Sequence, residues 1–202
     1  MIVGANPCVR PNPGGHNGGR HIGLPLQNKN MTPEEVYKKL QEFFPNVIFE
    51  YVEGAKNAVT GKTTGDPAIL VPAESILAVC EKLKVADGLN FDCLSNLTAV
   101  DRKDKFEVVY HLFSYQKRHQ VTLKVVLPRE DTAHVSTVET IWPVANWLER
   151  EVYDLFGIRF DGHSDLRRIM LPDDWVGHPL RKDYKEAEDY HGISTTRPPL
   201  LQ

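Results

Sequence analysis

Cysteine is scarce in this chain: Cys8, Cys80 and Cys93 are its three, and they stand far apart. Iron–sulfur binding needs clustered thiolates, so three dispersed ones exclude a cluster held by this chain. Their odd number argues against a disulfide framework and for a reducing cytoplasm. Positive charge is not in excess either. A formal net charge of −3 speaks against a nucleic-acid binder, which normally shows a basic face. No apolar run approaches the roughly 20 residues needed to cross a bilayer, and the N-terminus lacks the charged-then-apolar layout of a secretion signal.

Other chemistries lack their residues. There is no glycine-rich dinucleotide fingerprint between strand and helix, no glycine-flanked serine elbow, and no cysteine with a neighbouring base. Thr60-Gly61-Lys62-Thr63-Thr64 suggests a phosphate loop, but Lys56 stands where the motif needs its first glycine, and Pro67 follows instead of a long helix. An exposed turn is the better reading. No His, Cys, Asp or Glu pair sits at short metal-ligand spacing in an ordered element. His16, His21 and Cys8 lie on a Gly/Pro-rich segment that does not pre-organise ligands, and His111 and His119 fall on the faces of neighbouring strands. The chain alone lacks the means for redox chemistry.

What is present suits one good-sized domain with appendages: 202 residues, 41% hydrophobic and 25% charged, long enough to bury its own core. Residues 1–30, rich in Gly, Pro and Asn, read as a disordered extension. Met31 directly before a capping threonine suggests that the domain starts there, the earlier residues being dispensable or a start-codon artefact. Thr32-Pro33-Glu34-Glu35 opens a helix whose apolar face is Val36, Leu40, Phe43 and Phe44. Short strands follow over 47–52 and 68–71, then a helix over 73–83 with Ile76, Leu77, Cys80 and Leu83 on one side. Cys80 there is a small core residue rather than a nucleophile. Strand-like segments at 91–100, 105–115 and 120–127 are joined by hairpin-length links and alternate as a one-sided sheet should. The order α-β-β-α-β-β-β predicts an α+β domain over 31–160, two helices on a mixed or antiparallel sheet, then a third helix from Pro143. Residues 161–202, with scattered Trp, Tyr and Leu but no periodicity, read as an extended tail lying along another surface.

The densest stretch is 147–170. On a helical projection Val144, Trp147, Leu148, Val152 and Leu155 share one apolar sector, with Phe156 at its edge. Glu151 falls inside that sector, whereas Arg150, Tyr153 and Asp154 point away. A carboxylate on a buried face is costly unless paired, and Arg167 or Arg168 could reach it once the chain reverses at Gly157 and Asp161-Gly162. Glu151 is then either a general acid or base or half of a structural ion pair. With no second catalytic group in evidence, the ion pair is preferred. Arg150 and Asp154, four apart, could pair along the helix and would remain free for a partner.

Glu149-Arg150-Glu151, Asp154-Leu155-Phe156, His163 and Asp165-Leu166-Arg167-Arg168-Ile169-Met170-Leu171-Pro172, followed by Trp175 and Gly177-His178-Pro179-Leu180-Arg181-Lys182-Asp183-Tyr184, resemble the signature of the 30-kilodalton subunit of respiratory complex I. In bacteria this is the C subunit of the proton-translocating NADH–quinone oxidoreductase. The resemblance covers roughly 32–190. It implies a non-catalytic subunit in the hydrophilic arm, peripheral to the inner membrane on its cytoplasmic side. It also implies a C-terminal segment wrapped on the 49-kilodalton subunit that helps form the quinone pocket. Glu149, Arg150, Glu151, Asp154, His163, Asp165, Arg167 and Arg168 would be its lock and interface. NADH, FMN, iron–sulfur clusters and quinone would belong to the assembly and not to this chain. Two alternatives are an equivalent subunit of a membrane-bound hydrogenase, ferredoxin- or F420-linked complex, and a free-standing hydrolase using Glu151 with His163.

Overall fold

Thr32 starts the first helix as its sequence predicts. Its hydroxyl accepts from the Glu35 amide, and the Glu35 carboxylate accepts from the Thr32 amide, so two otherwise orphaned donors are satisfied reciprocally. The computed structural model describes residues 30–56 and 63–195. The expectations for residues 1–29, including His16, His21 and Cys8, and for the turn at 60–62 lie outside these.

Helix α1 (Pro33–Phe43) buries Val36 and Leu40, leaving Phe43 partly exposed. Strand β1 (Glu50–Val52) precedes a small hairpin, β2 (Ala55–Lys56) with β3 (Thr63–Thr64), and then β4 (Ala68–Leu70). After a single 3₁₀ turn, α2 (Ile76–Val85) buries Ile76, Val79, Cys80 and Leu83. The meander β5 (Cys93–Asp101), β6 (Lys105–Ser114) and β7 (His119–Pro128) is antiparallel throughout. The five-stranded sheet runs β1-β4-β7-β6-β5, and β4 pairs parallel to β7. The fold is thus α+β on a mixed sheet.

One sheet face carries Ile69, Leu97, Phe106, Tyr110, Leu112 and Leu123, all essentially without exposure, in a single core with the helices. At about 25 cal/mol per Å² of apolar surface, that core is the main source of stability. The apolar run at Ile158 and Phe160 has a partner that periodicity does not reveal. It forms β9 (Arg159–Asp161), parallel to β8 (His134–Ser136), on either side of α3 (Ala145–Phe156). This short ladder and the Trp142 indole, which donates to the Phe91 carbonyl, hold the start and end of α3 on the core. A last hairpin, β10 (Asp189–Tyr190) with β11 (Ile193–Ser194), closes the described tail.

Candidate functional site

Helix α3 is rolled by part of a turn relative to the expectation from its sequence: Val152 and Phe156 meet the core as expected, and Leu148 and Leu155 pack partly buried against it. Ala145, Glu149, Val152 and Phe156 face the core, whereas Val144 is 47% exposed and Trp147 63%. Glu151 is only half-buried. The carboxylates that are taken out of water are Glu149 and Asp154, both at 0% exposure. The expected pairing of Glu151 with Arg167 or Arg168 is therefore corrected: Arg168 binds Asp154, and Arg167 binds Asp165. Arg150 and Asp154, expected to be outward and mutually paired, are both buried and engaged elsewhere. Periodicity identifies which residues share a face; it does not say which face meets the core.

Asp154 is the centre of a built site. Its Oδ2 accepts from three successive amides, Ile169 (3.1 Å), Met170 (2.8 Å) and Leu171 (2.9 Å). Its Oδ1 accepts from the Arg168 guanidinium at 3.0 Å, and Arg168 also donates to the Gly177 carbonyl. Such charge-assisted bonds satisfy a buried carboxylate completely. Arg150 donates to the Arg167 carbonyl at 3.2 Å and lies under the Trp147 ring, 5.1 Å from its centroid. The segment after α3 is thus strapped back onto the helix.

The strap also caps the helix. A helix C-terminus leaves carbonyls without intrahelical partners. Here Asp154 O accepts from His178 Nδ1 (2.9 Å), Leu155 O from the Leu180 amide (3.1 Å), and Phe156 O from Arg181 Nε (2.6 Å). Burial, with the Arg181 and Arg168 charges, holds the His178 pKa below its ordinary value against the pull of its bond to Asp154. Gly157 ends α3 at φ +77°, and a Cβ there would come within 2.6 Å of both His178 and Arg181. Gly157→Ala is expected to destabilise the chain by about 2 kcal/mol or more: left-handed backbone strain of roughly 1–2 kcal/mol, plus two displaced caps. Urea denaturation checks this, and an unchanged midpoint would show the caps to be dispensable.

His163 is built into the turn after β9. Its Nε2 donates to the Asn146 carbonyl (3.1 Å), and its Nδ1 accepts from the Asp165 amide (3.0 Å). Glu139 lies 3.7 Å from the same ring and accepts from the Ser164 amide and hydroxyl, which first of all hold its pKa down. With both nitrogens engaged and its side chain at 0% exposure, His163 is not available as a base. The hydrolase pairing of Glu151 with His163 thereby loses one of its two groups.

A second anchor gives no signal in the sequence. Asp101, at the end of β5, accepts from Arg129 through both oxygens, from the Lys103 amide (2.7 Å) and from the Lys182 amide (2.8 Å). Arg129 reaches Asp183 as well, and Arg181 donates to Asp131. Burial alone would raise the Asp101 pKa, but the Arg129 bonds and the two amides outweigh it and hold the carboxyl at about 2. A depressed carboxyl pKa contributes stability above its unfolded value that is lost on acidification through the folded one. The stability gap between the native chain and Asp101→Asn should be widest at neutral pH and should close as pH falls from 3.8 towards about 2. Acid titration of unfolding for both proteins checks it; a gap independent of pH would remove the ionic role.

Elsewhere the protic groups are structural. Burial pushes the Cys80 thiol up, His119 bonds the Leu89 carbonyl at 2.7 Å, and His111 meets the Thr122 hydroxyl. Among the described residues no group of three or more His, Cys, Asp or Glu is placed to hold a metal, and no helix is long and apolar enough to cross a membrane. What remains open is Val144 and Trp147 on α3, with exposed Leu180 on the strap, whose amide bonds Leu155. The exposed Trp147 and Val144, held on a helix this firmly fixed, are candidate interaction residues.

The family model described as respiratory-chain NADH dehydrogenase, 30 kDa subunit, matches residues 69–190. The NADH-quinone oxidoreductase C subunit of Geobacter sulfurreducens is 43% identical over 136 residues, covering 63% of this chain and 82% of that protein. The Moorella thermoacetica protein of the same name is 43% identical over 150 residues, covering 73% and 92%. Among solved structures, a chain from the membrane-bound sulfane sulfur reductase, an archaeal respiratory membrane complex, superposes with a TM-score of 0.59 at 29% identity, covering 75% of this chain and 85% of that one.

Proposed function

From the premise that this chain belongs to the family of the 30 kDa subunit of respiratory-chain NADH dehydrogenase, we propose that it is a non-catalytic assembly subunit of a proton-translocating NADH–quinone oxidoreductase. It docks on the 49-kilodalton quinone-site subunit in the hydrophilic arm, peripheral to the inner membrane on its cytoplasmic side. The observation that carries this reading is the roll of α3. Trp147 of this amphipathic helix, with Val144 just before it, points away from the core, and a doubly anchored strap fixes that orientation. Burying such residues against a partner is the ordinary way to satisfy them. The tail beyond Asp183, whose Tyr190 ring lies tilted against Trp175 with centroids 5.1 Å apart, extends the same docking surface. NADH, FMN, iron–sulfur clusters and quinone are handled by other subunits of the assembly.

Co-expression with a 49-kilodalton subunit tests this. A stable one-to-one complex is expected, and the purified chain alone should show no NADH or quinone turnover. Turnover by the chain without added cofactor, or no complex with any hydrophilic-arm subunit, overturns it. A second reading is favoured by the likeness to the sulfane sulfur reductase chain: an equivalent subunit of a related respiratory membrane complex, whether hydrogenase, ferredoxin- or F420-linked. Exclusive complex formation with the corresponding subunit of such an enzyme would select it.

A further inference from the structure

One buried acid is used by neither anchor. Glu149 lies on the inward face of α3 with no exposure. Its Oε2 accepts from the Thr137 hydroxyl at 2.5 Å and its Oε1 from the Val138 amide at 2.8 Å. Among the described residues it is paired with no cation.

Its surroundings do not favour a negative charge. Helix α2 brings the buried Cys80 thiol and β6 the buried Tyr110 hydroxyl, and both groups feel its charge. The Tyr110 hydroxyl has no hydrogen-bond partner. The loop after β8 brings Glu139, a second acid, beside His163. From β5 come Leu94, Leu97 and Ala99, with Asp101 at the far end bound to Arg129. Two neutral donors are fewer than a buried carboxylate needs, and the adjacent acid repels it.

We propose that Glu149 is a proton-binding site buried beneath the docking helix, and that its proton holds α3 seated on the core. The ligand is a single proton taken by a carboxylate that only neutralisation makes tolerable. The group sits opposite the Trp147 face and one residue before Arg150, so its charge state acts on the part of α3 that carries both docking surface and strap. Burial, opposed by the Thr137 and Val138 bonds and reinforced by Glu139, raises its pKa from 4.5 to about 7. A proton held more tightly in the folded than in the unfolded state stabilises fully at low pH, and that stability is lost as pH rises through the folded value. Seating is therefore tightest on the acid side of about 7 and loosens in mild alkali.

Infrared spectroscopy and amide exchange of the full chain test this. A protonated-carboxyl carbonyl band is expected to titrate away with a midpoint near 7 and to be missing in Glu149→Gln. Protection of α3 amides, corrected for intrinsic rates, should fall by about 30-fold between roughly pH 5.5 and 8.5 in the native chain and stay level in the variant. Thr137→Val, which removes one donor to the ionised form, should move the midpoint upward; this measurement decides if Glu149→Gln fails to fold. Absence of the band at acid pH, an identical exchange profile in Glu149→Gln, or an unmoved midpoint in Thr137→Val overturns the proposal. None of these measurements involves a partner, so their failure leaves the docking reading intact.

Discussion

Asp154→Ala is expected to lower the unfolding free energy by about 3–5 kcal/mol, the range for removing one member of a buried ion pair. The carboxylate is fully buried and receives four bonds, one from Arg168 and three from consecutive amides of the strap. Without it the Arg168 guanidinium, 18% exposed, keeps only the Gly177 carbonyl, and three amides lose their acceptor. Each orphaned group adds a desolvation penalty of about 1–3 kcal/mol where water cannot reach it, and partial opening of the strap limits the sum. Against a total stability of roughly 5–15 kcal/mol, this is a large loss. Asp154→Asn keeps the shape and one acceptor oxygen, so it should fall between. The exposed Arg167–Asp165 pair, at 73% and 48%, is the internal control; Asp165→Ala should cost under about 1 kcal/mol. Chemical denaturation orders the three variants. Amide exchange should show Ile169, Met170 and Leu171 losing protection first in Asp154→Ala. A variant that unfolds at the native midpoint would mean that the strap is held by something else.

Much of the frame is legible in the sequence because its signals are local. Thr32 through Glu35 is a capping box within four residues. The alternation from Phe106 to Leu112 and from Val121 to Leu127 needs only a side-chain period of two. Gly157 and Gly162 both take the left-handed backbone that their places at a helix end and a turn require. Asp101 is invisible for the opposite reason: its partners Arg129 and Lys182 lie 28 and 81 residues away, and no pattern within a window links them. The roll of α3 is misassigned in part, for Val144, Trp147 and Glu149, through a physical assumption, that every bulky apolar residue of a helix faces the core of its own chain. For a subunit, some of them can wait for another chain. The core side is then centred on Ala145, Val152 and Phe156, flanked by partly buried Leu148 and Leu155, with the buried Glu149 among them. The local charges still point to the right place, since Asp154, Arg168 and His163 all serve the strap. Their roles depend on a roll that one-dimensional periodicity cannot supply.

That roll leads to the second large expectation, which separates binding from folding. Trp147→Asp should weaken capture of the 49-kilodalton partner by at least about 30-fold, equivalent to about 2 kcal/mol, the threshold for a binding hot spot. Trp147 is the largest exposed apolar side chain of α3. The Arg150 guanidinium beneath its ring limits its motion, so little conformational entropy would be lost on docking. A carboxylate in its place would be driven into an apolar contact and would also face Glu151 on the same open side. Stability should change little, because a side chain 63% exposed gives up little burial, and the stacking on Arg150 is worth about 1 kcal/mol at most. The comparison that isolates the effect is Lys124→Asp, on the sheet face away from the helices, which reverses a charge and should leave capture unchanged. Equal loss from both variants would indicate a nonspecific charge effect. No loss from Trp147→Asp, with the fold intact, would move the interface off this helix altogether.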